Sequence, residues 1–422
     1  TFHVSNSGTA IGVPFNAMIA SIIDVDVLQT LKMGSLNLLG NSTISGAGDV
    51  LMSSHVLSQH SISAGSDITG GFTFENGSLS VPGSASVSFM DWNNGTITGG
   101  GNLTIAGTNE WGVGGGTSMV LDGSTITNNG TINYNENISN HSIYLNSSAQ
   151  LVNAGIFNWS GITNEILSNA GIAGTFVNQG TFNVSNSGTG IGVPFNAMLG
   201  STIDVDNLQT LKLGSLNLLD NSTISGLGDV LMSSHTLNQH TIAADKVITG
   251  GFTLENGSLS VTGSSSVGYM NWNRGTITGG GNLAITGSSE WGVGGSTMTL
   301  DGTTITNSGT IDYNETTSNH EIYLNSSAQL VNATSGIVNW KGATNEIHSV
   351  DDSGIFVNQG TINVSASGTG IGVIFNAMTG SVIDVDGSQS LLMGSLNLLG
   401  NSIISGQGEV LMGFHNLNQH SI

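Results

Sequence analysis

Several residue types are scarce or missing in this chain of 422 residues. There is no cysteine, so disulfides and thiolate metal sites are excluded. Charged residues make up only 8 % of the chain, against roughly 25 % in an average soluble protein. Only 5 residues are Lys or Arg, and 27 are Asp or Glu. A nucleic-acid backbone or an anionic membrane surface is bound mainly through Lys and Arg. We therefore expect neither a nucleic acid nor an anionic membrane surface as a partner.

Long apolar runs are also missing, and no stretch approaches the roughly 18 apolar residues of a membrane span. Hydrophobic residues nevertheless make up 37 % of the chain, and the mean hydropathy is +0.14. They occur in short alternating runs, between the 63 glycines and many Asn, Ser and Thr residues. This pattern predicts an ordered chain with a thin, continuous core rather than a disordered one.

One long block is repeated almost unchanged along the chain. It begins TFHVSNSGTAIGVPFNAM at Thr1, TFNVSNSGTGIGVPFNAM at Thr181 and TINVSASGTGIGVIFNAM at Thr361, so that the copies start at equal intervals. We therefore predict two full repeat units, 1–180 and 181–360, and the start of a third, 361–422, in one continuous array. Because both ends fall inside a repeat, we expect the chain to be a fragment of a longer protein.

Turn signals within a unit distinguish between hairpins and coils. Asn-Gly and similar pairs precede alternating runs, and their glycines are Gly77, Gly95, Gly130, Gly155 and Gly180. A hairpin meander places turns about every 8–12 residues, which is closer than these glycines lie. The longer intervals predict an all-β fold, a right-handed parallel β-helix (β-solenoid) with roughly 18–25 residues per rung. We expect roughly 19 rungs and a rod about 90 Å long at ~4.8 Å per rung.

Paired aspartates recur as Ile-Asp-Val-Asp in every copy of the block. In a strand the Ile and Val side chains point inward and both carboxylates project from the outer face, where they could share a hard cation such as Ca²⁺. The alternative is a charged edge that keeps the protein soluble. The candidate metal ligands are Asp24, Asp26, Asp204, Asp206, Asp384 and Asp386.

Tryptophans beside polar residues also recur. If exposed, they could stack on sugar rings, and the candidate glycan-binding residues are Trp92, Trp111, Trp272 and Trp291. Packing in the core is the alternative, as is usual for aromatic side chains. Histidines recur in the frame His-x-Leu-x-Gln-His in every copy, and we interpret them as corner or surface residues without a cofactor. They are His55, His60, His235, His240, His415 and His420.

An enzymatic function is not expected. Two carboxylates can hydrolyse a glycosidic bond, but here every candidate carboxylate is copied with the scaffold, and a catalytic site has no reason to recur in every copy of the repeat. Two other classes of function stay open. The chain is either a structural segment that provides length and stiffness, or a repeated glycan- or Ca²⁺-binding module that gains affinity through avidity.

The strings GTITGGGNLTI and NQGTFNVSNSG, the lack of cysteine and the long tandem units resemble bacterial secreted β-helix proteins. The most similar classes are autotransporter passengers and filamentous-haemagglutinin-like adhesins. The resemblance implies an extracellular or cell-surface location and an elongated stalk or fibre. Its partners would be surface proteins, glycans or further copies of itself, since the open edge of a solenoid favours association.

Overall fold

The structure is a computed structural model that describes most of the chain. The described residues are 1–6, 8–52, 59–114, 118–135, 141–161, 164–186, 189–219, 221–232, 239–294, 297–314, 320–342, 345–366, 369–413 and 419–421. They contain strands, turns and bends but no helix. The chain divides into two compact units, unit 1 (Thr1–Ser215) and unit 2 (Leu216–Ile422).

The described part of unit 1 consists of short strands joined by turns. Its strands are β1 (Phe2–Val4), β2 (Thr9–Ala17), β3 (Ile22–Val25), β4 (Thr30–Leu38), β5 (Thr43–Ser45), β6 (Asp49–Met52), β7 (Gln59–Ile62), β8 (Asp67–Phe74), β9 (Ser78–Ser80), β10 (Ser84–Trp92), β11 (Gly95–Thr98), β12 (Asn102–Ile105), β13 (Thr108–Trp111), β14 (Ser118–Asp122), β15 (Thr125–Asn128), β16 (Thr131–Tyr134), β17 (Ser142–Asn146), β18 (Gln150–Asn153), β19 (Ile156–Trp159), β20 (Glu165–Leu167), β21 (Thr175–Asn178), β22 (Thr181–Val184), β23 (Thr189–Ala197), β24 (Thr202–Val205) and β25 (Thr210–Leu218), within which the unit boundary falls.

The described part of unit 2 is built in the same way. Its strands are β26 (Thr223–Gly226), β27 (Asp229–Met232), β28 (Gln239–Ile242), β29 (Val247–Leu254), β30 (Ser258–Val261), β31 (Ser264–Trp272), β32 (Gly275–Thr278), β33 (Asn282–Ile285), β34 (Ser288–Trp291), β35 (Met298–Asp301), β36 (Thr304–Asn307), β37 (Thr310–Tyr313), β38 (His320–Asn325), β39 (Gln329–Asn332), β40 (Ile337–Trp340), β41 (Asn345–His348), β42 (Ile355–Asn358), β43 (Thr361–Val364), β44 (Thr369–Ala377), β45 (Val382–Val385), β46 (Ser390–Leu398), β47 (Ile403–Gly406), β48 (Glu409–Met412) and β49 (Gln419–Ser421).

Most of the described strands pair with a strand one coil later, and the pairings within each unit are parallel. In unit 1, β13, β16, β19, β22 and β24 stack in this way, and in unit 2, β34, β37, β40, β43 and β45 do so. Both units are therefore parallel β-solenoids, with about 17 turns in all. The predicted all-β solenoid is confirmed.

The length of a turn varies along the chain. Thr253 and Asn271, paired across neighbouring turns, are 18 residues apart, whereas Asp312 and Asn339 are 27 apart. Most of this range agrees with the predicted rung length. Because some turns are longer, the number of turns is smaller than expected from the sequence.

Alternation along each strand produces the core. In β16, Ile132 and Tyr134 are fully buried, and the two residues between and before them face outward. Parallel stacking then places like residues above one another, so that Ile132 pairs with Phe157 and Phe157 with Phe182. The rings of Phe157 and Phe182 stack at 5.4 Å. Each column of inward residues thus becomes a continuous apolar stack, which stabilises the solenoid by burial.

The turn glycines have two different roles. Gly77 and Gly95 adopt positive φ angles of 91° and 97°, as the sequence predicts. Gly155 and Gly180 are needed for another reason: a Cβ atom on Gly155 would lie 2.0 Å from the carbonyl oxygen of Gly130, and one on Gly180 would lie 2.0 Å from that of Gly155. At these positions glycine permits close stacking of successive turns.

Candidate functional site

A line of polar side chains runs up the outer face of unit 1, and we call it the outer ladder. In register it consists of Glu110, Asn133, Asn158, Asn183 and Asp204. The amide of Asn158 donates to Asn133 at 2.8 Å, and the amide of Asn183 donates to Asn158 at 2.9 Å. Asn133 in turn donates to the carboxylate of Glu110 at 2.6 Å. The first aspartate of the second Asp-x-Asp pair therefore lies in register with a hydrogen-bonded ladder.

The outer ladder is repeated in unit 2, where its register positions are Glu290, Asp312, Asn339, Asn363 and Asp384. Asn339 donates to Asp312 at 2.7 Å, and Asn363 donates to Asn339 at 2.9 Å. Lys341 lies 3.0 Å from the Asp312 carboxylate. Together with the hydrogen bond from Asn339, this ion pair lowers the pKa of Asp312.

The first Asp-x-Asp pair has a partner that the other two copies do not have. His3 Nδ1 lies 3.0 Å from Asp24 Oδ2, and His3 Nε2 lies 3.5 Å from Asp26 Oδ2. The hydroxyl of Ser45 donates to Asp24 Oδ1 at 2.8 Å. The hydrogen bonds from Ser45 and then from His3 lower the pKa of Asp24. In the other copies the position of His3 is taken by Asn183 and Asn363.

The predicted orientation of the Asp-x-Asp pairs is correct. Ile23 and Val25 are buried, whereas the side chains of Asp24 and Asp26 are 34 % and 46 % exposed. The ligand atoms of His3, Asp24 and Asp26 lie within 4.8 Å of one another, which is close enough to share an ion. Ca²⁺ takes six to eight oxygen ligands, and two carboxylates supply only part of that shell. Ca²⁺ binding by the six aspartates therefore remains a prediction.

The four candidate glycan-binding tryptophans lie in the core. Trp92, Trp111 and Trp272 are fully buried, and Trp291 is 1 % exposed. Their rings pack edge to face in two pairs, Trp92 with Trp111 and Trp272 with Trp291, each with centroids 5.3 Å apart. A buried ring offers no face to a sugar, so the glycan-binding interpretation of these residues is wrong and the packing alternative is confirmed.

In Trp111 and Trp291, the two of these tryptophans that follow a Glu, the indole nitrogen also makes a hydrogen bond. Trp111 Nε1 donates to the carbonyl oxygen of Met90 at 2.9 Å, and Trp291 Nε1 donates to that of Met270 at 3.0 Å. The polar neighbours that suggested exposure face outward because successive residues of a strand alternate between the two sides. A sequence window around each Trp therefore resembles a surface site although the ring itself points inward.

Of the recurring histidines, His60 and His240 lie in the core and not on the surface, whereas His420 in β49 is exposed. His60 and His240 are 3 % and 2 % exposed, and their Nδ1 atoms accept hydrogen bonds of 3.2 Å from the backbone amides of Leu36 and Leu216. Burial lowers the pKa of each imidazole to about 4. Both are therefore neutral at physiological pH. Their frame partners His55, His235 and His415 lie outside the described residues.

Sequence reasoning missed a second, buried ladder. In unit 1 the amide of Asn128 donates to Asn153, and that of Asn153 donates to Asn178, each at 2.8 Å. In unit 2 the same bonds link Asn307 to Asn332 and Asn332 to Asn358. All these side chains have no exposed surface. The available signal was an Asn two residues before each of Gly130, Gly155 and Gly180, in the strings TNNG, VNAG and VNQG.

The described residues contain no helix with the length and apolarity required to cross a membrane. Comparisons with protein-family models, with curated proteins and with solved structures found no match to this chain. The fold therefore rests on the geometry of the two units, and a relationship to autotransporter passengers or adhesins remains a hypothesis.

Proposed function

We propose that this chain is a structural repeat segment of a large extracellular or cell-surface fibre or adhesin, in which it acts as a stiff stalk. The observation that supports this proposal best is the repetition of both ladders. Unit 1 and unit 2 each contain a buried Asn ladder and an outer ladder, with side chains in the same register. Nothing in such a ladder is specific to one turn, so duplication extends it without loss.

The direction of the bonding supports a role in resisting extension. In a parallel solenoid the backbone hydrogen bonds run from turn to turn, and here the Asn amides and the core aromatic rings add contacts along the same direction. Phe176 and Phe195, for example, stack at 4.9 Å with an interplanar angle of 6°. A pull along the stacking direction would have to break the bonds of a whole turn together, which favours mechanical stiffness.

An extracellular location is supported by composition alone. The Gly-, Asn-, Ser- and Thr-rich sequence without cysteine is typical of the bacterial secreted β-helix proteins that the chain resembles. The excess of acidic residues gives a formal net charge of −22, which favours solubility. Location, fibre formation and adhesion are thus parts of the proposal.

Association with further copies of the chain, with other surface proteins or with glycans is also part of the proposal.

The proposal is tested by varying the number of repeats. Proteins containing one, two and three copies of the repeat unit are imaged by electron microscopy. If the repeat is a spacer, we expect the particle length to rise by about 35 Å per repeat, at ~4.8 Å per turn, with constant width. A length that does not increase in proportion to the repeat number would contradict a stalk function. Binding that rises steeply with repeat number at constant length would favour the avidity alternative instead.

A further inference from the structure

A cluster of ionisable side chains lies on the outer face of unit 2, on neighbouring strands β38 and β41. The two strands are parallel and in register, so that Glu321 pairs with Glu346 and Tyr323 pairs with His348. The residues between them, Ile322 and Ile347, are each 1 % exposed and point into the core. Alternation therefore directs all four polar side chains to the same outward patch.

The distances within the patch suit a single bound ion. The ligand atoms of Glu321, Glu346 and His348 lie within 4.8 Å of one another. His348 Nε2 is 3.6 Å from Glu321 Oε2, and these two side chains are 16 % and 29 % exposed. Zn²⁺ binds N and O ligands at about 2.0–2.1 Å in a tetrahedral arrangement, which separates two ligand atoms by roughly 3.3 Å. The 3.6 Å between His348 and Glu321 needs little adjustment to reach this separation, and both side chains can be reached from solvent.

Tyr323 orients two of the three ligands. Its ring stacks on the imidazole of His348, with centroids 4.4 Å apart and an interplanar angle of 20°. Its hydroxyl donates a hydrogen bond to Oε2 of Glu321. Supporting groups of this kind hold metal ligands in place before the ion binds.

The corresponding turn of unit 1 provides an internal comparison. There β17 and β20 pair Ser142 with Glu165 and Tyr144 with Leu167. Glu321 and His348 thus replace a Ser and a Leu of the earlier copy, and both replacements fall in one outward patch. Two Glu side chains directly opposite each other on adjacent strands repel unless a cation lies between them.

The geometry points to a new metal site in which Glu321, Glu346 and His348 bind one divalent transition-metal ion of the zinc class. An imidazole nitrogen with two carboxylates favours such an ion over Ca²⁺ or Mg²⁺, which prefer oxygen ligands alone. Three protein ligands leave a fourth position open for water or for a group from another molecule. Unit 1, with Ser142 and Leu167, lacks two of the three ligands and should not bind.

The test is a calorimetric titration of the metal-free 422-residue chain with Zn²⁺. We expect the unaltered protein to bind one more ion than the variants His348→Leu and Glu321→Ser, which install the residues of unit 1. Tyr323→Phe should keep the site but weaken it about 10–100-fold. Unchanged stoichiometry and affinity in His348→Leu and Glu321→Ser would overturn the proposal, as would Ca²⁺ binding at this site as tightly as Zn²⁺.

Two further variants make the result independent of folding defects and of the other cluster. Ser142→Glu combined with Leu167→His should add a Zn²⁺ site to unit 1 and raise the stoichiometry by one. His3→Asn, which installs the residue of the later copies, should leave the unit 2 site intact. Loss of the ion in His3→Asn together with its retention in His348→Leu would assign the metal to the His3, Asp24 and Asp26 cluster and refute the site proposed here.

Discussion

The side-chain amide of Asn153 donates a hydrogen bond of 2.8 Å to the side-chain oxygen of Asn178, one turn further along unit 1. The same amide donates to the carbonyl oxygen of Thr181 at 2.9 Å, and the oxygen of Asn153 accepts from Asn128. The asparagine side chains of this ladder have no exposed surface. Asn153 therefore satisfies buried polar groups on both sides of its own turn.

Replacing Asn153 by Ala should destabilise unit 1 by about 3 kcal/mol. The change leaves a donor of Asn128 and the acceptor of Asn178 buried without this partner, and each such loss costs roughly 1–3 kcal/mol. The measurement is the free energy of unfolding from urea denaturation. Asn158→Ala is the matched control: Asn158 makes a similar bond to Asn133 on the outer ladder, where water can replace it, so we expect a loss below about 1 kcal/mol. Equal losses would contradict a special role of the buried ladder.

The sequence predicts the solenoid because its two signals, alternation and turn spacing, are local and repeated. It does not predict which polar residues are buried. Asn153 and Asn158 look alike in a sequence, yet one faces inward at a corner and the other outward from a strand. The glycan-binding prediction for Trp92 and Trp111 was wrong for the same reason, since the polar neighbours of each tryptophan point to the opposite side of the strand. The patch around Glu321 and His348 depends on the register between turns, which no single stretch of sequence contains.

Gly155→Ala should destabilise unit 1 more than Gly200→Ala, although only Gly200 has a positive φ, at 74°. A Cβ on Gly155 would lie 2.0 Å from the carbonyl oxygen of Gly130, whereas a Cβ on Gly200 would meet nothing within 4 Å. We expect a cost of about 1–2 kcal/mol at Gly200, from the left-handed conformation alone. The cost at Gly155 should exceed this, because the stacked backbones must separate. Thermal unfolding followed by circular dichroism measures both, and the reverse order would contradict the close-stacking role.

Unfolding should become easier as the pH falls from about 6.5 to about 4. Burial lowers the pKa of His60 and His240 to about 4 in the folded protein, so the unfolded chain binds protons first in this range. Protonation of each histidine should lower the free energy of unfolding by up to about 3 kcal/mol, and the effect should level off below pH 4. NMR titration of labelled histidines tests the cause directly. Two imidazoles should titrate near pH 4, and ordinary values near 6.5 for all the histidines would contradict it.

The Asp-x-Asp pairs should bind Ca²⁺ weakly if the sequence interpretation is correct. Two exposed carboxylates with water completing the shell suggest a Kd on the order of 10⁻⁴–10⁻³ M. Asp204→Asn with Asp206→Asn should lower the number of bound ions by one in an equilibrium dialysis measurement. Asp301→Asn, a change to an acidic residue outside the pairs, should leave it unchanged. If the unaltered protein, the double variant and Asp301→Asn all bind the same number of Ca²⁺ ions, the Ca²⁺ interpretation is contradicted and the pairs are only a charged edge.

Replacing Asp91 by Asn should stabilise unit 1 at neutral pH. Burial, followed by the nearby carboxylates of Asp49 and Glu110, raises the pKa of Asp91 to about 6. The equivalent residue in unit 2 is Asn271, whose oxygen accepts from the Glu290 amide at 2.8 Å, as Asp91 accepts from the Glu110 amide at 2.7 Å. The replacement therefore keeps this hydrogen bond and removes an unfavourable charge.

The gain in Asp91→Asn must depend on pH in a defined way. Because the folded pKa of Asp91 lies above the unfolded value of 3.8, the contribution of Asp91 to stability falls as the pH rises from about 4 through 6, opposite in sign to that of the buried histidines. The advantage of the variant should be absent below pH 4 and reach the order of 1 kcal/mol above pH 6, allowing for solvent screening. Asn271→Asp should lose a similar amount over the same range. The measurement is the urea midpoint of the wild-type protein and of Asp91→Asn at pH 4 and at pH 8. An equal increase in the midpoint at both pH values would mean that the charge of Asp91 is not the cause.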